Sequence, residues 1–348
     1  MDKKEQALTQ DKTTGAAEPA PHSKGPALKN VLMFSGSAHP TLAKSIADTL
    51  GLEVSPTTIR KFSNDDFYIQ LGTSVRGKEV FIVQPLCPPC SDNLMELLLM
   101  LDIARGGSAK EVCAVIPYYS YARSDKKDAP RISIAARLIA DLLVTAGATQ
   151  VITMTLHSPQ VHGFFNVPTD HLTAHSVLVD YLRKKDLSNT VLVAPDVGHA
   201  RRVGKLARAL ELPMAAGEKI RLSDNNVAIT GIMGNVKNKD IVLVDDEIAT
   251  AGTITEIVNY MTTKENIRQV TVVGTHGLFT GLAVERLNKL DVIDEIVVTN
   301  TVPLPDERRP DRLVVLEVGR IFGEVIRRNV QGESVGSLFE FWPISPRG

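Results

Sequence analysis

The sequence predicts an α/β protein that contains two similar, doubly wound parallel sheets. Short runs of continuously apolar residues alternate with segments in which apolar residues recur at helical spacing. Such runs are typical of strands that are buried on both faces, as in a parallel sheet covered by helices. The alternation starts again near residue 190, which suggests that the second half duplicates the first.

The first half begins after a segment that is not expected to fold. Residues 1–28 are rich in Lys, Thr, Ala, Pro and Gly and contain no aromatic residue, which is typical of a disordered tail. Residues 31–35 are the first predicted strand, and Leu42 to Leu50 form a helix that ends at Gly51. The same pattern predicts strands at 80–84, 111–117 and 150–156, with helices at 93–104 and 133–145.

The second half repeats this pattern. Strands are predicted at 190–195, 240–244, 269–274 and 295–299, and helices around 203–210, near Thr253 and near Leu278. The predicted organisation is therefore an N-terminal α/β domain at 29–175, a C-terminal α/β domain at 176–330 and a tail at 331–348. Ligands of such folds bind at the carboxyl ends of the parallel strands, so residues at those ends are the candidate site residues.

The composition excludes several other classes of protein. The 348 residues include 39 Lys and Arg against 40 Asp and Glu, so bulk charge favours neither nucleic acid nor an anionic membrane surface as a partner. The densest apolar stretch is interrupted by Glu96 and Asp102, and the N-terminus lacks the apolar core of a signal peptide. Three cysteines are too few for a disulfide framework, and the Cys87/Cys90 pair lacks the second pair of a zinc site. We therefore expect a soluble, cytoplasmic protein.

The most informative segment is the strand and loop at 241–254. An apolar strand leads into two adjacent carboxylates, Asp245 and Asp246, and a short loop with Thr and Gly then opens a helix. Loop amides and a helix N-terminus bind phosphate, and Thr250 and Thr253 add hydroxyl donors. Carboxylates would repel that phosphate unless they bind hydroxyls or a metal, and a sugar phosphate meets both demands. The alternative is that the carboxylates cap the strand and the loop is a plain turn.

Five further segments carry charged, aromatic or metal-ligating residues. The cations of the segment at 118–131 lie between a predicted strand and a predicted helix. His157 follows a strand directly, and Asp196 ends another strand. Lys219 and Arg221 alternate, so on a strand they project to one face, where both could face a triphosphate. Taken alone, His157 would rather be a hydrogen-bonded strand-end residue, and Asp196 a helix cap. The segments are RKFSNDD (60–66), YYSYARSDKKDAPR (118–131), TLHSPQVHGFF (155–165), APDVGHARR (194–202) and GEKIR (217–221).

Through these motifs the chain resembles the ribose-phosphate pyrophosphokinase family, also called phosphoribosyl pyrophosphate synthetases, over residues 31–339. The resemblance implies the type I phosphoribosyltransferase fold and homo-oligomers, from dimers to hexamers. It implies a transferase and kinase of nucleotide biosynthesis that moves the pyrophosphoryl group of ATP to the 1-hydroxyl of ribose 5-phosphate and releases AMP. Mg²⁺ would be the cofactor, and ATP and ribose 5-phosphate would be the small-molecule partners.

The resemblance also assigns roles to individual residues. Phe62 would stack on adenine bound by a neighbouring subunit, while His157 and Asp196 would hold Mg²⁺. Lys219, Arg221 and Arg123 would be catalytic, because they neutralise charge that develops during transfer. The other ATP contacts would come from Asn64, Asp65, Asp66, Arg123, Ser124 and Asp125. Ribose 5-phosphate would be bound by Arg221, Asp245, Asp246, Ala249, Thr250, Ala251, Gly252 and Thr253.

Several positions depart from the family pattern. Asp66 stands where Glu is usual, Ser124 where Gln is usual, His199 where a second loop Gly is usual, and Ala249 where many members have Asp. His199 and Ala249 leave open a weakly active or inactive regulatory homologue. A phosphoribosyltransferase is a further alternative, since it shares the sugar-phosphate loop, but the separate ATP segment and the Lys-x-Arg pair argue against it.

Overall fold

A computed structural model describes residues 28–221 and 227–339 of the chain. The predicted N-terminal tail, apart from Leu28, lies outside the described residues, as does the predicted C-terminal tail beyond residue 339. The backbone of Arg221 ends a strand, but its side chain also lies outside the described part of the chain.

The first half forms a six-stranded parallel sheet with an apolar cluster on each face. A separate antiparallel hairpin, β3–β4, leaves this sheet after its second strand. In chain order the elements are β1 (Val31–Ser35), α1 (Pro40–Leu50), β2 (Val54–Ser55), β3 (Thr57–Lys61), β4 (Phe67–Leu71), β5 (Glu79–Val83), α2 (Cys90–Gly106), β6 (Glu111–Ile116), α3 (Ala135–Ala146), β7 (Gln150–Met154), β8 (Thr169–Leu172) and α4 (His175–Leu182).

The second half forms a seven-stranded sheet in which β10 and β11 pair antiparallel and the other pairs are parallel. In chain order its elements are β9 (Thr190–Ala194), α5 (Ala200–Leu210), β10 (Met214–Arg221), β11 (Val227–Met233), β12 (Asp240–Ile248), α6 (Gly252–Glu265), β13 (Gln269–Gly277), α7 (Ala283–Asn288), β14 (Ile293–Thr299), β15 (Leu313–Leu316) and α8 (Gly319–Gln331).

The two sheets share one strand order, so the predicted fold class of two similar α/β halves is confirmed. The first sheet runs β2-β1-β5-β6-β7-β8, and the second runs β10-β9-β12-β13-β14-β15, with β11 added outside β10. Each half also has an additional element between its second and third parallel strands. This element is the β3–β4 hairpin in the first half and β11 in the second. Within the described residues, the departures from the expected all-parallel sheets are the antiparallel strand β11 and the separate β3–β4 hairpin.

The last helix of each half packs against the first helix of the other half. α8 lies on α1, and α4 lies on α5. A Cβ atom at Gly323 of α8 would lie 2.7 Å from Thr49 Cγ2 of α1, so this close approach requires glycine. Met33, Leu192 and Phe322 belong to one buried cluster that joins both halves. The domain boundaries at 175/176 and 330/331 stay predictions.

Most predicted strands and helices are present, with differences at their ends. β12 continues to Ile248 instead of ending at residue 244, because β13 is also longer and pairs with it as far as Gly277. Asp245 and Asp246 therefore lie inside the end of the strand. The helix predicted near Leu278 begins at Ala283, because β13 extends to Gly277 and residues 278–282 form the loop and turn that follow it. The elements that the sequence did not predict are β2, β3, β4, β8, β10, β11, β15, α4 and α8.

Candidate active site

Carboxylates from two neighbouring strands meet at the carboxyl edge of the second sheet. β9 and β12 pair in parallel, so Asp196, which follows β9, lies near Asp245 and Asp246 of β12. Asp246 is 1% exposed, so its charge requires partners. We call these three residues the carboxylate cluster.

Two histidines supply partners to the carboxylate cluster. His157, just after β7, places Nδ1 2.7 Å from Asp246 Oδ2. His199, in the 3-10 turn before α5, places Nδ1 2.7 Å from Asp196 Oδ1 and Nε2 3.2 Å from Asp246 Oδ1. The backbone N–H of His199 also donates to Asp196 Oδ1 at 3.1 Å, so Asp196 caps this short turn as well. His199 thus connects the carboxylates of two strands.

Two long cationic side chains, those of Arg202 and Lys219, approach the carboxylate cluster from either side. Arg202, in α5, places Nη1 3.3 Å from Asp246 Oδ2 and donates through Nη2 to the carbonyl oxygens of Leu156 and His157. These two hydrogen bonds hold the segment that carries His157. Lys219, in β10, places Nζ 3.5 Å from Asp196 Oδ2. The amine of Lys219 therefore has only a long contact within the cluster.

The cluster shifts the pKa values of its members in opposite directions. Burial alone would lower the pKa of His199, but the hydrogen bond to Asp196, the close contact with Asp246 and the charges of the nearby carboxylates raise it to about 10. The hydrogen bond from His199 holds the pKa of Asp196 well below its usual range. Burial and the neighbouring Asp246 raise the pKa of Asp245. Burial would also raise the pKa of Asp246, but the hydrogen bond from His157 and the close contact with His199 hold it low. His199 is therefore a cation near neutral pH.

The predicted phosphate loop follows β12 directly. Ala251 has φ +56°, a left-handed conformation that turns the chain into α6, a helix of 14 residues. The carbonyl of Thr250 accepts a hydrogen bond from Arg286 Nη1 at 2.8 Å, and that of Ala249 accepts one from the Thr280 N–H at 2.9 Å. These bonds fix the loop and leave the N–H groups of the first turn of α6 for an anion. Thr253 lies in that first turn.

Ala249 has a packing role in this structure. It lies against a small buried apolar cluster that contains Cys87, Tyr118, Leu278 and Val302. A carboxylate at position 249 would lose hydration against this apolar surface. The alanine therefore suits its surroundings, whereas it adds no charge to the sugar-phosphate loop.

The predicted adenine-reading residues form the turn of the β3–β4 hairpin. Phe62 is 53% exposed, which excludes a place in the core. Asn64 Nδ2 donates to Asp66 Oδ2 at 2.6 Å, and Asp65 has φ +70°, so the polar residues hold a tight turn. Lys61 stiffens it through ion pairs with Asp65 and with Asp92 of α2. The hairpin presents an exposed aromatic ring on an ordered support.

The predicted cationic loop connects β6 and α3. Arg123 Nη2 lies 3.4 Å from Oε1 of Glu247, which belongs to β12 beside the carboxylate cluster. Ser124 Oγ donates to the carbonyl of Ser133 and accepts from the N–H of Ala135, so it joins the two ends of the loop. Asp125 is half-buried beyond this junction. Arg123 is exposed, and so are the other loop cations, Lys126, Lys127 and Arg131.

The structure thus brings most of the predicted sugar, metal and catalytic residues to one edge. His157, Asp196, Lys219, Asp245 and Asp246 meet there, and Arg123 reaches the same strand through Glu247. Contacts of Arg202 and Glu247 were not predicted from the sequence. Arg202 ends the quoted segment 194–202, but nothing in its spacing indicates a contact with Asp246.

A metal could be held by part of this cluster. His157, His199 and Asp246 each offer one ligand atom, and these atoms lie within 4.8 Å of one another. Asp246 Oδ1 is buried and has no hydrogen-bond partner. A cation would satisfy that oxygen, so the residues present fit a divalent ion.

The cysteines take no part in this site. Cys87, Cys90 and Cys113 are free, and burial raises the pKa of the Cys87 thiol to about 11. Such thiols are poor nucleophiles and poor metal ligands at neutral pH. Among the helices described, none combines the length and apolar character that crossing a membrane requires.

Comparisons with known proteins agree with this architecture. Residues 31–147 match the model of the N-terminal domain of ribose phosphate pyrophosphokinase, and residues 223–340 match the phosphoribosyl synthetase-associated domain. A putative ribose-phosphate pyrophosphokinase of Streptomyces coelicolor is 46% identical, over 91% of this chain and 99% of the relative. The ribose-phosphate pyrophosphokinase of Wolinella succinogenes is 45% identical, over 90% of this chain and 100% of the relative.

A solved structure gives the same result. The crystal structure of phosphoribosylpyrophosphate synthetase from Mycobacterium smegmatis superposes with a TM-score of 0.82 at 37% identity, covering 87% of this chain and 99% of that one. The duplicated sheets and the site at their strand ends define a protein of the type I phosphoribosyltransferase fold. Within that class, the chain belongs to the ribose-phosphate pyrophosphokinase family.

Proposed function

We propose that this chain transfers the pyrophosphoryl group of ATP to the 1-hydroxyl of ribose 5-phosphate, giving phosphoribosyl pyrophosphate and AMP. One juxtaposition carries the proposal. The carboxylate pair and anion-binding loop of β12 lie beside Asp196 after β9 and beside Lys219 on β10. A sugar phosphate and a polyphosphate could therefore bind side by side at one edge of the sheet.

The sugar phosphate would be held at both of its ends. Its 5-phosphate would accept hydrogen bonds from backbone N–H groups of 249–253 and from Thr250 and Thr253, at the N-terminus of α6. Asp245 and Asp246 would accept hydrogen bonds from the ribose hydroxyls. This arrangement would leave the 1-hydroxyl pointing away from the loop, toward the neighbouring strands.

The polyphosphate would be bound by cations from two sides. Among the described residues, Lys219 has only a long contact with Asp196, so its amine is available to phosphate oxygens. Arg221 follows two residues later in β10 and would project to the same face. Arg123 and the loop cations Lys126, Lys127 and Arg131 would approach from the first half. Mg²⁺, held by His157 and Asp196, would neutralise charge on the triphosphate when bound.

The reaction would be a direct displacement. The 1-hydroxyl oxygen attacks the β-phosphorus, the bond from that phosphorus to the α,β-bridging oxygen breaks, and AMP leaves with the electron pair. The hydroxyl proton is lost to water. Such transfers depend mainly on positioning and on electrostatic stabilisation, which is what the carboxylate cluster and its surrounding cations supply.

The ATP base would be read by the β3–β4 hairpin. Phe62 is exposed at its turn, with Asn64, Asp65 and Asp66 beside it, and Ser124 and Asp125 would add contacts from the loop. An exposed ring on a hairpin suits a site that a neighbouring subunit completes, so we propose a homo-oligomer. The free thiols suit the cytoplasm, which is where we propose that the reaction takes place.

The regulatory alternative makes a different prediction. His199 and Ala249 are the only support for the regulatory alternative. Both residues have a fitting environment in the structure, and Lys219 and the phosphate loop are still present.

The assay mixes purified protein with Mg²⁺, ATP, ribose 5-phosphate and free phosphate, and AMP and phosphoribosyl pyrophosphate are separated by chromatography. We expect both products in equal amounts, and only when the sugar is present.

A matched pair of variants tests the assignment. Lys219→Ala should abolish most of this activity, whereas Lys44→Ala should leave it unchanged, because Lys44 is an exposed lysine of α1 whose one ion pair among the described residues is with Asp48. Folded protein that makes no AMP would favour the regulatory homologue. AMP formation without the sugar would instead indicate hydrolysis of ATP.

A further inference from the structure

Two imidazoles and one carboxylate converge at the edge of the sheet. His157 comes from the end of β7 in the first half, His199 from the turn after β9 and Asp246 from β12. One ligand atom of each lies within 4.8 Å of the others, and the two rings are 5.8 Å apart. Oδ1 of the buried Asp246 points into this group without a hydrogen-bond partner.

Asp196 orients His199 for ligation. Asp196 Oδ1 accepts hydrogen bonds from Nδ1 at 2.7 Å and from the backbone N–H at 3.1 Å. The proton on Nδ1 is thereby fixed, and Nε2 faces Asp246 Oδ1 at 3.2 Å. A carboxylate behind a histidine is the usual means of setting the tautomer and ring direction of a metal ligand. A bound ion would replace the proton of Nε2.

The surrounding charges favour a cation at this position. Asp245 Oδ1 lies 3.8 Å from His199 Nε2 and adds negative charge. Arg202 opposes it, but its Nη1 approaches Asp246 Oδ2 and not Oδ1, which faces His199. Lys219 faces the far oxygen of Asp196. The free oxygen of Asp246 and the two rings thus remain turned toward one another.

We propose that His157, His199 and Asp246 form a site for a divalent transition-metal ion, such as Co²⁺ or Zn²⁺, which binds there in preference to Mg²⁺. Mg²⁺ prefers oxygen ligands, whereas imidazole nitrogen suits the first-row transition metals. The site shares His157 with the Mg²⁺ position of the proposed function, and it therefore refines the choice of metal at that same edge.

Metal binding is measured with the full-length, untagged chain. A chelator first strips the protein of metal and is then removed. Co²⁺ is titrated without ATP or sugar, and its visible d–d absorption reports nitrogen ligation; Mg²⁺ is then added in competition. His199→Gly and His199→Gln remove the second imidazole. His162→Gln is the matched control, because His162 is exposed and, within the part of the chain that the structure describes, bonds only the Thr169 carbonyl.

We expect wild type and His162→Gln to bind one Co²⁺ and to resist displacement by excess Mg²⁺. Both His199 variants should bind Co²⁺ about tenfold more weakly or worse, with altered absorption, at an unchanged circular dichroism spectrum. Equal Co²⁺ binding by wild type and both His199 variants would overturn the proposal, as would displacement of Co²⁺ from wild type by equimolar Mg²⁺. Because no substrate is present, failure of this site leaves the proposed activity intact, and an inactive protein could still bind the ion.

Discussion

Replacement of His199 by glutamine should remove a pH-dependent part of the stability of the folded chain. The imidazolium lies between Asp196 and Asp246, at 2.7 Å and 3.2 Å from their oxygens. Its side chain is 20% exposed, so solvent screens these contacts only partly. Glutamine keeps a hydrogen-bond donor of similar reach but has no proton that titrates.

The size of the effect follows from the shifted pKa. The pKa of His199 rises from its ordinary value of 6.5 to about 10, because hydrogen bonds to the carboxylates outweigh burial. At about 1.4 kcal/mol per unit, this shift corresponds to roughly 5 kcal/mol. The folded protein keeps the proton above pH 6.5 while the unfolded chain loses it. The contribution is therefore complete below pH 6.5 and disappears as the pH rises toward 10.

Urea unfolding at pH 6.5, 7.5 and 8.5, with a chelator present, measures this contribution. We expect wild type to lose roughly 2 kcal/mol relative to His199→Gln over this range. His162→Gln should follow wild type. Parallel pH profiles for wild type and His199→Gln would refute the proposed charge on His199.

Three other substitutions test separate parts of the site. Lys219→Ala should lower kcat by about 10²–10³-fold with an unchanged melting temperature, since its amine would act mainly on charge that develops during transfer; a change confined to KM would contradict this role. Thr253→Val should raise the KM for ribose 5-phosphate about tenfold or more, because one hydrogen bond to a charged phosphate is lost, while the KM for ATP stays constant. Phe62→Ala should raise the KM for ATP about tenfold through lost stacking, whereas Tyr68→Ala on the same hairpin, with a ring that is 43% exposed, should not. Equal effects of the two ring deletions would point to a general loss of hairpin structure.

Apolar runs made most of the sheets predictable. β5, β6, β9 and β12 are almost wholly buried, so their sequences contain few polar interruptions. β8 and β15 escaped prediction because they are edge strands, each with one neighbour and mostly half-buried residues. The hairpin strands β3 and β4 alternate between half-buried and exposed residues, which resembles a loop in a single sequence.

The parts that depend on distant contacts were not predictable. The place of α8 on α1 rests on the fit of Gly323 against Thr49, which no local pattern reveals. The residues that would bind the sugar phosphate follow one another in the chain, so the sequence displays them together. The histidine contacts instead join His157, His199 and Asp246, which come from three separate strand ends. Only the fold brings these residues into one group.

The fate of the β-phosphorus tests the proposed reaction most directly. ATP labelled at the β-phosphate is incubated with the full-length protein, Mg²⁺ and ribose 5-phosphate, and the products are separated. The proposed displacement predicts that all of the transferred label appears in phosphoribosyl pyrophosphate, in amounts equal to unlabelled AMP. Label that stays in ADP, or a sugar product without label, would show that the protein does not transfer a pyrophosphoryl group.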